Sequence, residues 1–157
     1  SDVYKRQLGS PVSLGLNGTD ASDEVLVHLE SLNQLVDLGL ANTRITDAGT
    51  PQLAKLHGIW GLNLAGTRVT DAGVSKLAEL RHLYQLDLAR THVTDNCLFP
   101  NSLGFLNLRN TNITDAVLPR LAELKRLYYL NLEGTKVTED GLKAIRQALP
   151  SYCNIRK

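Results

Sequence analysis

The chain has no methionine, a single tryptophan and only 5% aromatic residues in 157, so any core it builds must be filled mainly by aliphatic side chains. An excess of charge of one sign is missing too. Seventeen basic residues against 16 acidic ones leave a formal net charge of +1, which excludes a global field drawing the chain onto nucleic acid or an anionic membrane. No apolar run reaches the roughly eighteen residues of a membrane-spanning helix, so membrane insertion is not expected. The first residues lack the charged-then-apolar pattern of a secretory signal. The length and a hydrophobic content of 43% suit one domain with a real core.

What is present is a repeat. Shifting the sequence by twenty-four residues lays Leu35, Leu38, Leu40, Thr43, Ile45, Thr46 and Asp47 onto Ile59, Leu62, Leu64, Thr67, Val69, Thr70 and Asp71. The same shift then reaches Leu83, Leu86, Leu88, Thr91, Val93, Thr94 and Asp95. A fixed period in the twenties with an L-x-x-L-x-L core marks a solenoid, in which each unit buries its apolar face only by stacking on its neighbours. Six units are expected over residues 11–150, starting at Pro11, Leu35, Ile59, Leu83, Leu103 and Leu127. The first is degraded, with Ala21, Ser22 and Asp23 in the I-T-D slots. The fourth is four residues short, about one helical turn. Leu98 to Ser102 stands there where other units have a second helical turn, Pro100 opposes a helix, and the convex wall should be thin.

The apolar alternation in L-x-x-L-x-L makes one strand per unit, with Leu62 and Leu64 pointing inward and Gly61 and Asn63 outward. Thr70 is placed to cap a short helix and Asp71 to favour its positive end, while Val74, Leu77 and Leu80 form the inward helical face. The fold class is therefore α/β, with a parallel concave sheet and short convex helices wound right-handed. A column of threonines at 19, 43, 67, 91, 111 and 135 is expected to satisfy backbone groups in the turns. After the sixth helix, Cys153 and Ile155 read as the last two apolar positions of a seventh strand, making residues 151–157 a C-terminal cap. Cys97 and Cys153 then lie about three strand spacings, roughly 14 Å, apart, too far for a disulfide. Free thiols fit a reducing compartment without identifying one. Residues 1–10 fit no slot. Asp2 to Gln7 resembles a translated sequencing-library adapter, so these residues read as a non-native or disordered leader on a metagenomic fragment, and a first strand without a cap would be an edge for association in an otherwise monomeric chain.

The pattern L-x-x-L-x-L-x-x-T-x-[IV]-T-D-A-G, as in Leu35 to Gly49, resembles a bacterial class of leucine-rich repeat proteins, similar to the cysteine-containing subclass of F-box ubiquitin-ligase adaptors. The resemblance covers the chain from Pro11 onward and implies a horseshoe that binds proteins. It also implies an alternative: a substrate-recognition arm of a larger enzyme, a ubiquitin-ligase adaptor or a kinase, whose catalytic part is missing from this chain. No F-box is visible.

Three outward columns cross the concave face. The first is Ser13, Asp37, Gly61, Gln85, Phe105 and Tyr129; the second Gly15, Gly39, Asn63, Asp87, Asn107 and Asn131; the third Asn17, Ala41, Ala65, Ala89, Arg109 and Glu133. The N-terminal half is small and bland. Outward aromatics and arginine with no core to fill are the residues of interaction hot spots, so Gln85, Asp87, Phe105, Asn107, Arg109, Tyr129, Asn131 and Glu133 are the expected partner-binding set. The flank aromatics Trp60, Tyr84 and Tyr128 suit edge packing, and the stripe Arg44, Arg68, His92 and Lys136 suits a solvated edge. His92, Asp95 and Cys97 crowd one turn as a cysteine nucleophile and base would, yet Asp95 and Cys97 occupy ordinary repeat slots. His28, His57 and His82 lack metal-ligand spacing. The expected function is a non-enzymatic protein-binding module with neither metal nor cofactor.

Overall fold

The computed structural model describes residues 11–157; the leader assigned to residues 1–10 lies outside them. Strands β1 (Val12–Gly15), β2 (Leu35–Gly39), β3 (Gly61–Asn63), β4 (Gln85–Asp87), β5 (Phe105–Asn107), β6 (Tyr129–Asn131) and β7 (Asn154–Arg156) form one parallel seven-stranded sheet in chain order. Leu38, Leu62, Leu86, Leu106 and Leu130 pair in a single row across it. The return paths carry the helices α1 (Leu26–Leu29), α2 (Thr50–Leu53), α3 (Asp71–Lys76), α4 (Leu118–Leu121) and α5 (Glu139–Ala148), three of the paths with an added 3-10 turn. One continuous apolar core runs between sheet and helices from Leu26 to Leu149, and Val74, Leu77 and Leu80 are all buried in it.

The threonine column does what its chemistry suggested. The hydroxyls of Thr19, Thr43, Thr67, Thr91, Thr111 and Thr135 each donate to the carbonyl three residues back, at 2.6–2.7 Å. The next slot outward is more informative. Thr70 caps α3 by accepting from Ala72 N–H at 3.3 Å. Asp71, however, reaches into the following unit, where its two carboxylate oxygens accept from Thr94 N–H at 2.6 Å and Thr94 Oγ1 at 2.5 Å. The same two-bond rung joins Asp23 to Thr46, Asp47 to Thr70, Asp95 to Thr114 and Asp115 to Thr138. Stacked units are thus tied by main-chain bonds on the sheet wall and by aspartate rungs on the helical wall.

The turn after each strand is left-handed at Gly18, Asn42, Gly66, Arg90, Asn110 and Gly134, with φ between 55° and 70°. Glycine and asparagine accept this conformation at little cost, and arginine does not. Arg90 holds it with its N–H on Arg109 O at 2.8 Å and its Nη2 stretched across a neighbouring unit to Asn42 Oδ1 at 3.4 Å.

The fourth unit, expected to lack a second helical turn, has no helix at all between β4 and β5. Sheet register is undisturbed, with Gln85 opposite Phe105. Cys97, Phe99 and Pro100 are buried, and Ser102 Oγ donates to Leu80 O and Leu83 O at 3.2 and 2.7 Å, tying the short path to the junction of the third and fourth units.

The end of the chain corrects one expectation. A seventh strand forms, but Ile155 rather than Cys153 pairs with Leu130. The return path through the ten-residue α5 uses two more residues than the expected register allowed. Cys153 moves to the flank, and Arg156 comes to lie beside Asn131.

Candidate functional site

The strands bring the first two outward columns onto the concave face in the expected register, whereas in the third Ala41, Ala65 and Ala89 are buried and Arg109 is exposed. Phe105 and Tyr129, on adjacent strands, stack with ring centroids 4.5 Å apart and planes 7° from parallel. Both rings remain half-exposed. Beside them Glu133 is shared by two cations, Arg109 Nε at 3.5 Å and Arg156 Nη2 at 3.1 Å. A hydrogen bond with Tyr129, followed by the Glu133 carboxylate, raises the pKa of Arg156 and keeps its guanidinium charged. Arg156 was missed in the sequence because the last strand was read two residues out of register.

The second column is mostly turned back on itself. The Oδ1 atoms of Asn63, Asp87, Asn107 and Asn131 accept from the N–H two residues on, at 2.9–3.1 Å. One bond crosses between units, from Asn107 Nδ2 to Asp87 Oδ2 at 3.0 Å. Asn131 is only 6% exposed, so it supports the surface more than it presents a contact. Gln85 is exposed at the edge of the aromatic pair.

The small residues of the N-terminal half have a consequence that the column pattern did not reveal. With no side chains at Gly39 and Gly61, a hollow of about 200 Å³ opens on the concave face, walled by Asp37, Asn63, Gln85, Asp87 and the Phe105 ring. Asp37 meets the Ser13 hydroxyl at 3.3 Å, and neither Asp37 nor Asp87 has an ion-pair partner among the described residues. The surface therefore grades from acidic, through aromatic, to a cluster of two arginines about one glutamate.

A leucine-rich repeat family model matches residues 62–78. No curated protein matches the chain in sequence. Among solved structures, an internalin of Listeria monocytogenes superposes with a TM-score of 0.51 at 22% identity, over 77% of this chain and 41% of that one. A leucine-rich repeat protein of Leptospira interrogans gives 0.53 at 18% identity, over 98% of this chain and 50% of that one. The fold is a leucine-rich repeat solenoid. The chain spans half or less of the length of these two proteins.

Elsewhere on the solenoid, Trp60 and Tyr84 stack at 5.1 Å and 13°. The Tyr84 ring lies over Gly104, where a Cβ would collide with it. This is the edge packing expected of the flank aromatics; Tyr128 stands 59% exposed. In the turn stripe, Arg44 is held by Asp20, through its carboxylate at 3.6 Å and its carbonyl at 3.2 Å, while Arg68, His92 and Lys136 face solvent.

The crowded turn does not assemble a nucleophile. Cys97 is 0% exposed, and burial followed by the nearby Asp71 carboxylate pushes its thiol far above the usual cysteine range, against the opposing pull of Arg120. Asp95 spends both carboxylate oxygens on Thr114, and its carbonyl accepts from Arg120 Nη1. A reactive thiol needs the opposite setting, exposed and electropositive. No catalytic family is indicated for this chain. Among the described residues no helix is long and apolar enough to cross a membrane.

Proposed function

We propose that this solenoid is a non-enzymatic interaction module that holds a protein partner on the C-terminal half of its concave face. The observation that carries the reading is the Phe105–Tyr129 stack, two rings half-open to solvent on a wall whose core is filled without them. Rigid aromatic area ringed by arginine is how a few residues come to dominate a protein interface. Gln85, Arg109 and Glu133 complete the contact rim with Arg156, and Asp87, Asn107 and Asn131 fix the floor beneath it. The repeat grammar supports placing the chain in the bacterial cysteine-containing subclass, with the domain over residues 11–150 and residues 151–157 as its cap. The module acts as a monomer.

The test is a display selection for peptide or protein binders to the whole chain, followed by Phe105→Ala with Tyr129→Ala. Binders to the proposed surface lose the double variant while its circular dichroism stays that of the parent. Wild-type capture by the double variant across the selected pool sinks the reading.

A further inference from the structure

The short fourth unit leaves more than a thin wall. Where the helical side of units three to five turns back toward the strands, Ala78, Arg81, Phe99, Asn101, Ser102 and Arg126 line an open hollow of about 380 Å³. It adjoins a second hollow through Ala78 and Arg81, to which His57, Glu79 and His82 contribute. In the first hollow the long side chains at the ends of units three and five stand on either side of Asn101 and Ser102. The arginines are thus two strand spacings, about 10 Å, apart at the backbone, with short residues between them.

Arg81 and Arg126 are both exposed. Neither side chain has a hydrogen bond or an ion pair with any described residue. No carboxylate lines the hollow that they share; Glu79 belongs to the adjoining one. Some basic residues are neutralised locally, as Lys55 is by Glu30 at 2.7 Å and Arg44 by Asp20 at 3.6 Å, whereas Arg68 and Lys136, like Arg81 and Arg126, have no ion pair among the described residues. What distinguishes Arg81 and Arg126 is that they share one hollow. Two guanidiniums with free forks across a concave gap are matched to a carboxylate, which each can bind through paired hydrogen bonds. The floor is apolar, with Phe99 only 8% exposed beside Ala78, and suits the methylene stem of an acidic side chain.

We propose that this notch is a second docking surface, separate from the concave face, which takes a glutamate- or aspartate-bearing segment of a protein partner. Charge complementarity selects the occupant, and the missing helical turn makes the room. The reading does not depend on what the concave face binds.

The probe is a hexaglutamate peptide titrated into the whole ¹⁵N-labelled chain at low salt, with hexalysine and inorganic phosphate as comparison ligands. Hexaglutamate is expected to move the amide signals of Phe99, Asn101 and Ser102 and to bind at least tenfold more weakly to Arg81→Ala with Arg126→Ala. Arg68→Ala with Lys136→Ala, which removes the same charge elsewhere, is expected to leave affinity within twofold. Asn101→Trp fills the gap without changing charge and is expected to weaken binding as well. Shifts centred on Arg109 and Phe105 instead, equal loss in both double variants, or full binding by Asn101→Trp overturn the proposal. So do phosphate shifts of the same size at the same concentration, which would make the notch a site for any anion.

Discussion

Asp71 and Thr94 meet through two hydrogen bonds at once, 2.6 Å to the Thr94 N–H and 2.5 Å to its hydroxyl. Both groups are half-buried, and a charge-assisted bond to a partly buried group contributes about 1.5–3 kcal/mol. Asp71→Ala should therefore lower stability by about 2–3 kcal/mol, read as a fall in the urea midpoint. In a double-mutant cycle with Thr94→Val the coupling should exceed about 0.5 kcal/mol. Additive effects would mean that the rung does not act as a unit.

The corresponding rung at the C-terminal end titrates. The hydroxyl of Thr138, then its N–H, holds the Asp115 carboxyl below its usual value of 3.8, with Lys157 adding a smaller pull and desolvation opposing. A depressed folded-state value means stabilisation that is complete above the unfolded value and lost as pH falls through the folded one. Asp115→Asn should therefore reduce stability at pH 7 and flatten its loss in acid below about pH 4. Thermal melts of both chains between pH 7 and pH 2 check this; parallel curves would contradict it.

Arg90 holds a left-handed backbone with φ of 58° where its counterparts are glycine or asparagine. Arg90→Asn should stabilise the protein by roughly 0.5–1 kcal/mol, since the Cβ penalty is relieved by a residue that tolerates this region. The long bond to Asn42 at 3.4 Å is too weak to offset the gain. Denaturant midpoints decide, and a lower midpoint for the variant would show that the Asn42 contact outweighs the strain.

The thiols should separate by reactivity. Burial raises the pKa of both Cys97 and Cys153, but Cys97 is fully enclosed and Cys153 only half-buried. In the native protein at pH 8, iodoacetamide should label Cys153 first and Cys97 only when the chain opens. Peptide mapping against time distinguishes the two. Fast labelling of Cys97 near neutral pH would revive a nucleophilic role.

The periodic part of this fold was legible because a column in the sequence becomes a row in space: Thr43, Thr67 and Thr91 repeat one turn, and each hydroxyl makes one bond. Helix capping by Thr70 was legible for the same local reason. The reach of Asp71 into the next unit was not, because a slot fixes where a side chain starts but not which neighbour it leans toward. Arg156 was lost for another reason. The spacing of the last strand depends on how far α5 runs, which no further repeat is there to calibrate. The hollow at Gly39 and Gly61 is the converse case, a feature made by residues that contribute nothing themselves.

A solenoid bends because its outer layer is thicker than its inner one: helices about 10 Å across are stacked behind strands about 4.8 Å apart. The fourth unit supplies a strand without that outer wedge. Helical backing is thus missing between Gln85 and Phe105, at the border where the acidic hollow meets the aromatic stack. The acidic and aromatic facets of one sheet therefore meet where the backing behind them is irregular chain, with helices behind the strands to either side.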